Sequence, residues 1–139
     1  MPMSIGDIMT EEVMAIHMDD TLLTAHTLFK QLGFHHLLVI EERRLMGVLS
    51  DRDILRWIGP HLDTPAETRA DLERMRRPVH QLMTRKPVTV TPDTAITYAG
   101  NLMLEQRVSC LPVVNDRGHP VGIVSWRDLL SAHVMLQHV

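Results

Sequence analysis

Residues 47–55 read GVLSDRDIL, and residues 122–130 read GIVSWRDLL. The second stretch begins 75 residues after the first and shares its Gly, Ser, Arg, Asp and final Leu. In both, an apolar run ends at a serine, which is typical of a strand that leads into a helix. A strand-to-helix junction written twice indicates an internal repeat, and a repeat of this kind decides the fold.

The repeat extends to both sides of these stretches. Residues 7–10 (DIMT) align with residues 81–84 (QLMT), and Leu37 and Val39 align with Leu111 and Val113. One extra residue near Gly118 changes the offset from 74 to 75. The match is collinear with a single gap, so a duplication of one unit explains it.

Each copy predicts the same order of elements: strand, helix, strand, strand, helix. The first copy has a β-branched stretch at 13–17, a helical pattern at 22–32 and an apolar strand at 37–40 that precedes GVLS. The second has the corresponding segments at 88–91, 95–106 and 111–114. Between the copies, residues 64–67 (TPAE) predict a capping box that opens a linker helix ending before Pro78.

These patterns divide the chain into a first repeat at 3–57, a helical linker at 58–76 and a second repeat at 77–134. The chain is 45% hydrophobic and 22% charged, as expected of a globular protein. Its formal charge is −3 and its 14 Lys and Arg are spread along the sequence, which argues against nucleic-acid binding.

Membrane insertion and secretion are not expected. No apolar run approaches the ~20 residues that span a bilayer, and the first residues lack the pattern of a signal peptide. Cys110 is the only cysteine, which excludes an internal disulfide and fits a reducing compartment. The expected location is the cytoplasm.

Each copy resembles a CBS domain, the module named after cystathionine β-synthase, and the tandem resembles a Bateman module standing alone. Three features carry the resemblance: the segment ending in Met-Thr, the loop before an apolar strand (GFHHLLVI, RVSCLPVV) and the G-h-h-S-x-x-D ending. It implies an α/β fold of two CBS repeats, β-α-β-β-α each, packed with pseudo-twofold symmetry. The second copy keeps the family's proline at Pro112, whereas the first has Leu38 there.

Two interpretations of the repeated S-x-x-D remain open. In the first, Ser50 and Asp53, like Ser125 and Asp128, form capping boxes that only stabilise helix starts. In the second, which the family resemblance implies, each aspartate accepts hydrogen bonds from a ribose diol and the serine lies near the sugar or phosphate. A capping residue can also be released when a ligand arrives, so the roles do not exclude each other.

The resemblance implies an adenine pocket in each copy, with bases read by main-chain groups and covered by apolar side chains. Two interpretations of Arg52 and Arg127 also remain open: contact with a ligand phosphate, or a surface salt bridge. The first expected site comprises Thr10, Met14, Phe34, His35, His36, Val48, Ser50, Arg52 and Asp53. The second comprises Thr84, Val88, Val108, Ser109, Cys110, Ile123, Ser125, Arg127 and Asp128.

Catalysis and metal binding are not expected, because the chain has no G-x-S-x-G or G-K-[ST] motif and no closed ligand set. The favoured function is a regulatory sensor that requires no cofactor. It would bind AMP, ADP, ATP or S-adenosylmethionine in clefts between the repeats. We expect a homodimer formed through residues 54–58 and 129–135, and a further protein partner of unknown identity. The alternative is a ligand-free scaffold.

Overall fold

The computed structural model describes residues 3–137, with the side chain of Gln137 excluded. Its helices are α1 (Ile5–Ile8), α2 (Leu22–Leu32), α3 (Asp51–Ile54), α4 (Arg69–Arg74), α5 (Ile96–Gln106) and α6 (Trp126–Gln137). Its strands are β1 (Ala15–Ile16), β2 (His36–Glu41), β3 (Arg44–Ser50), β4 (Thr84–Arg85), β5 (Cys110–Val114) and β6 (Pro120–Ser125). No helix among these residues has the length and apolarity needed to cross a bilayer.

The chain divides into two compact units that differ from the two sequence repeats. The central unit is Met14–Lys86, and the terminal unit combines the residues up to Val13 with those from Pro87 onward. The DIMT segment of the first repeat therefore folds with the second repeat. The QLMT segment of the second repeat folds with the first.

The central unit contains a four-stranded sheet in the order β1-β2-β3-β4. Strands β1 and β2 are parallel, and the other neighbours are antiparallel. In the terminal unit β5 and β6 form the hairpin, while single bridges of Val90 to Val113 and Thr10 to Ile123 stand where β1 and β4 lie in the central unit. The prediction of a mixed α/β fold with two similar repeats is confirmed.

Each unit has its own apolar core. The central core includes Leu22, Leu37 and Leu49, which are fully buried, and the terminal core includes Leu111 and Val124. The inner strands of both hairpins are buried at successive positions, as expected for strands covered on both faces. Helix α2 spans the predicted residues and ends at Gly33, whose φ of 69° provides the left-handed C-cap.

The strand predicted at 88–91 is reduced to the single bridge of Val90. Pro87 and Pro92 flank this stretch and have no N–H to donate to a sheet. The amide of Thr91 donates instead to Thr94 Oγ1 at 3.0 Å, within the turn that leads to α5. The strand predicted at 13–17 is likewise shortened, to Ala15–Ile16.

The predicted start of the linker helix is wrong. Thr64 donates its hydroxyl to the carbonyl oxygen of His61 at 2.6 Å, and Glu67 accepts from the amide of Asp63. The helix begins at Arg69, with Thr68 and Asp71 as its capping box. Asp71 is buried, and its carboxylate lies against Gly59. Any side chain at position 59 would overlap this carboxylate, because a Cβ atom there would occupy the same space. The burial of Asp71 beside Gly59 is a tertiary contact that the motif at residues 64–67 does not record.

Candidate functional site

In both units the loop before the hairpin lies directly beside the Ser-x-x-Asp motif. In the central unit His36 pairs with Ser50 across β2 and β3, and the amide of Asp51 donates to the carbonyl oxygen of His35 at 2.9 Å. In the terminal unit Cys110 pairs with Ser125, and the amide of Trp126 donates to the carbonyl oxygen of Ser109 at 3.0 Å. The hairpin register therefore brings together two features that are 14 or more residues apart in sequence.

The capping boxes expected from the sequence are formed. The amide of Ser50 donates to Asp53 Oδ2 at 2.8 Å, and the amide of Asp53 donates to Ser50 Oγ at 3.2 Å. The corresponding distances for Ser125 and Asp128 are 2.9 and 3.3 Å. Both aspartates are half-buried.

The same box occurs at two further helix starts, where it caps α1 and α4. At α1 the amide of Ser4 donates to Asp7 Oδ2 at 2.9 Å, and at α4 the amide of Thr68 donates to Asp71 Oδ2 at 2.9 Å. The box geometry alone therefore does not mark a ligand site. Asp53 and Asp128 share a different feature: beside each lies the loop before the hairpin, whose carbonyl oxygen accepts a hydrogen bond from the residue that follows the motif's serine.

The structure corrects the grouping of the two threonines. Thr84 pairs with Val48 in the central unit, and Thr10 exchanges backbone hydrogen bonds of 2.9 and 3.0 Å with Ile123 in the terminal unit. Sequence order had placed Thr10 with the first set and Thr84 with the second. Gly47 and Gly122 have no Cβ and so leave room for a Met-Thr segment against the outer hairpin strand of each unit.

The remaining expected contacts differ in burial. Val48 and Cys110 are buried, so the polar groups they can offer a ligand are those of the main chain. Met14 and Val88 pack against the cores of their units, whereas Phe34 and Ile123 are half-buried and Val108 and Ser109 are exposed.

The two loops differ in chemistry. In the central unit His35 Nδ1 lies 2.9 Å from Asp51 Oδ2, a contact that sequence reasoning missed although both residues could be placed by counting along the hairpin. Burial lowers the pKa of His36, against the opposing effect of the nearby Asp51 carboxylate; His35 lowers it further and Asp53 raises it. The terminal unit has Ser109, Cys110 and Trp126 at these places, so only the central loop can titrate through histidine.

Arg52 and Arg127 are both exposed. In the part of the chain that the structure describes, neither guanidinium lies within 4 Å of a carboxylate. Arg127 instead lies over the indole of Trp126, at 5.6 Å from the ring centroid. Among the described residues, these two arginines therefore do not form the surface salt bridges of the second alternative. Across residues 3–137 no group of three or more His, Cys, Asp and Glu side chains could hold a metal ion.

The chain belongs to the CBS domain family, whose model matches residues 5–60 and 79–134. The CBS domain-containing protein YhcV of Bacillus subtilis is 32% identical over 91% of this chain and 82% of its own length. A CBS domain-containing protein of Dictyostelium discoideum is 30% identical over 94% of this chain and 91% of its own length. Among solved structures, CBSX2 in complex with AMP is similar with a TM-score of 0.79 and 25% identity, covering 97% of this chain and 98% of CBSX2.

Proposed function

We propose that this CBS-pair protein is a regulatory sensor that binds an adenosyl compound beside its Ser-x-x-Asp motifs. AMP, ADP, ATP and S-adenosylmethionine are the ligands of this class that we consider. The observation that supports the proposal most is the backbone contact between loop and motif, from Asp51 to His35 and from Trp126 to Ser109.

The chemistry of the motif suits a ribose. The capping bonds of Asp53 and Asp128 fall on Oδ2, and a carboxylate has a second oxygen with acceptor capacity of its own. Two adjacent hydroxyl groups can donate to one carboxylate, and such charge-assisted bonds are stronger than neutral ones. The exposed Arg52 and Arg127, each one residue before its aspartate, can reach a phosphate with a planar fork of donors.

The solved relative supports the ligand class. CBSX2 was crystallised with AMP and matches nearly the whole of this chain. The resemblance assigns the aspartate of this motif to the ribose, and here that position is held by Asp53 and Asp128. A regulatory role then requires the ligand to favour one of two conformations, which a protein partner reads.

A second candidate function is a ligand-free scaffold. The formed capping boxes favour it, because they account for Ser50, Asp53, Ser125 and Asp128 without a ligand. In that case the two motifs do no more than the box of Thr68 and Asp71, which caps α4.

Calorimetric titration with AMP, ADP, ATP and S-adenosylmethionine, with GTP as a control, separates the two functions. The variants are Asp53→Asn and Asp128→Asn, and the matched control is Asp71→Asn, which alters a capping box of the same geometry. A ligand at a hundred times its Kd adds about 2.7 kcal/mol to stability, so a parallel thermal melt should rise by about 5–10 °C.

The sensor predicts saturable binding of one or more adenosyl ligands that weakens at least tenfold in Asp53→Asn or Asp128→Asn and is unchanged in Asp71→Asn. The scaffold predicts no binding, and three Asn variants that differ from wild type only in helix stability. Equal weakening in all three variants would also argue against the sensor, because it would trace the loss to folding.

Two further features complete the proposal. We expect a homodimer in which α6 contributes an apolar face, since Trp126, Leu130 and Val134 are each about half exposed at spacings of four residues. Of the other segment expected at this interface, residues 54–58, Ile54 is buried in the core of the central unit, so we assign the interface to α6 alone. We also expect residence in the cytoplasm, because a chain whose single cysteine, Cys110, is buried and in no disulfide fits a reducing compartment.

A further inference from the structure

A concave surface in the central unit is lined by residues outside the loop and the Ser-x-x-Asp motif. It encloses about 510 Å³ and is lined by Arg56, Trp57, Glu73, Arg74 and Arg77, a set called the arginine pocket below. Three of the five lining side chains are thus cationic and one is a carboxylate, in a chain whose formal charge is −3.

The cationic side chains of the pocket are not used in ion pairs. Glu73 is paired with Arg76 at 3.3 Å, and Arg76 is not a lining residue. Within residues 3–137, none of the guanidinium groups of Arg56, Arg74 and Arg77 lies within 4 Å of a carboxylate. Arg74 lies in the last turn of α4, and Arg56 lies in the last turn of the 3-10 helix Leu55–Trp57, so a helix end favours a cation at both positions. No helix end is involved at Arg77, which follows α4.

One wall of the pocket is fixed. Trp57 is half-buried and packs against the core of the central unit. The guanidinium of Arg77 lies over its ring, 4.3 Å from the centroid, and Nη1 donates to Gln81 Oε1 at 3.4 Å. Stacking sets the plane of a guanidinium while its in-plane N–H groups remain able to donate. Arg77 is therefore oriented before a ligand arrives.

We propose that the arginine pocket binds a small polyanion that carries two or more linked phosphate groups. A guanidinium group binds phosphate oxygens through two parallel N–H donors in one plane. The pocket has three guanidinium groups and only one carboxylate, so it carries an excess of positive charge. The volume lies within the range of small-molecule sites, whereas the lining is cationic rather than apolar. The pocket shares no residue with the proposed adenosyl site, so this proposal does not depend on the proposed function.

Tryptophan fluorescence tests this directly. The chain has two tryptophans, so Trp126→Phe leaves Trp57, at the wall of the pocket, as the sole indole reporter. This variant is titrated with inorganic pyrophosphate at constant ionic strength, alone and with Arg56→Gln or Arg74→Gln added. Arg69→Gln is the matched control, because it removes an exposed arginine of α4 that does not line the pocket.

The expected result is a saturable change in Trp57 emission with one pyrophosphate per chain, at least tenfold weaker in Arg56→Gln and Arg74→Gln and unchanged in Arg69→Gln. A linear response, or equal weakening by Arg69→Gln, would overturn the proposal by showing only general charge attraction. Thermal melts of each variant confirm that the fold is intact.

Titration with a nucleoside diphosphate identifies the source of the phosphates. Tighter binding than pyrophosphate, still weakened by Arg74→Gln, would show that the pocket accepts a nucleotide. If the nucleotide instead binds at the adenosyl site, Asp53→Asn or Asp128→Asn weakens its binding, and Arg74→Gln leaves it unchanged. Together with a flat pyrophosphate titration, that pattern would overturn the arginine pocket while leaving the proposed function in place.

Discussion

A Cβ atom on Gly47 would lie 2.8 Å from the carbonyl oxygen of Thr84 and 2.6 Å from Met83 Sδ. Gly122 has the same relationship to the other Met-Thr segment, where a Cβ would lie 2.9 Å from the carbonyl oxygen of Thr10. The glycine that opens each repeated stretch is therefore a packing requirement. It lets a segment from the other repeat complete the sheet of each unit.

Replacing Gly47 with Ala should destabilise the protein by about 1–3 kcal/mol, as overpacking of a close contact does. Urea denaturation gives the change in the free energy of unfolding. Gly100→Ala is the control, because a Cβ there meets only Leu129 Cδ1 at 3.8 Å and Gly100 lies inside α5. That control should gain about 0.5–1 kcal/mol from helix propensity. Similar stability of the two variants would show that position 47 tolerates a side chain.

Removing the cap of α6 should weaken the terminal unit. Ser125→Ala loses the acceptor for the amide of Asp128, a bond of 3.3 Å, and should cost about 0.5–2 kcal/mol. Ser131→Ala on the same helix removes an exposed hydroxyl away from the cap and should be neutral or slightly stabilising. The difference in urea midpoint between the two variants measures the cap. Equal midpoints would contradict the role of Ser125.

Acid should destabilise the linker helix through Asp71. The amide and hydroxyl of Thr68 hold the pKa of Asp71 below its usual 3.8, against the opposing effect of burial. Its stabilising contribution is therefore complete above the unfolded pKa and is lost as the pH falls through the folded one. Between pH 5 and pH 3, the free energy of unfolding measured in urea should decrease less for Asp71→Asn than for wild type. Asp116→Asn, on an exposed turn, should follow wild type; if both variants follow it, Asp71 does not contribute.

His36 should make stability depend on pH in a higher range. Because burial lowers its pKa below 6.5, the unfolded chain takes up the proton first as the pH falls. Stability is then complete above about 6.5 and decreases below it, until the folded pKa is reached. Between pH 7.5 and 5.5, His36→Gln should lose less stability than wild type. His133→Gln, exposed on α6, should behave as wild type. A proton NMR titration of His36 with a midpoint above 6.5 would contradict this.

The exposed face of α6 should hold the proposed dimer together. Leu130→Glu places a charge at the centre of the face formed with Trp126 and Val134, and sedimentation should then show a monomer. Leu104→Glu changes a more exposed leucine on α5 and should leave the dimer intact. A wild-type monomer at micromolar concentration, or dissociation by both variants, would show that α6 is not the interface.

Much of the local structure was readable from the sequence. The apolar spacing predicted a helix over roughly residues 22–32, which α2 spans, and the Ser-x-x-Asp pattern predicted the starts of α3 and α6. Both signals are local, since periodicity and capping depend on residues only three or four apart. The linker helix shows where this stops. The motif at residues 64–67 predicted the cap, whereas the structure has Thr68 and Asp71 in that role, with Asp71 buried beside Gly59.

By itself the sequence determined that the chain contains two copies of one strand-helix-hairpin unit, because the duplicated letters and their periodicity are local properties of the chain. Only the tertiary structure decided which Met-Thr segment completes which sheet. Sequence order placed Thr10 with its own repeat, whereas its backbone pairs with Ile123. The arginine pocket is of the same kind, since Arg56 and Arg77 are brought to one surface by packing around Trp57. Contacts between residues far apart in sequence depend on packing, which no local pattern records.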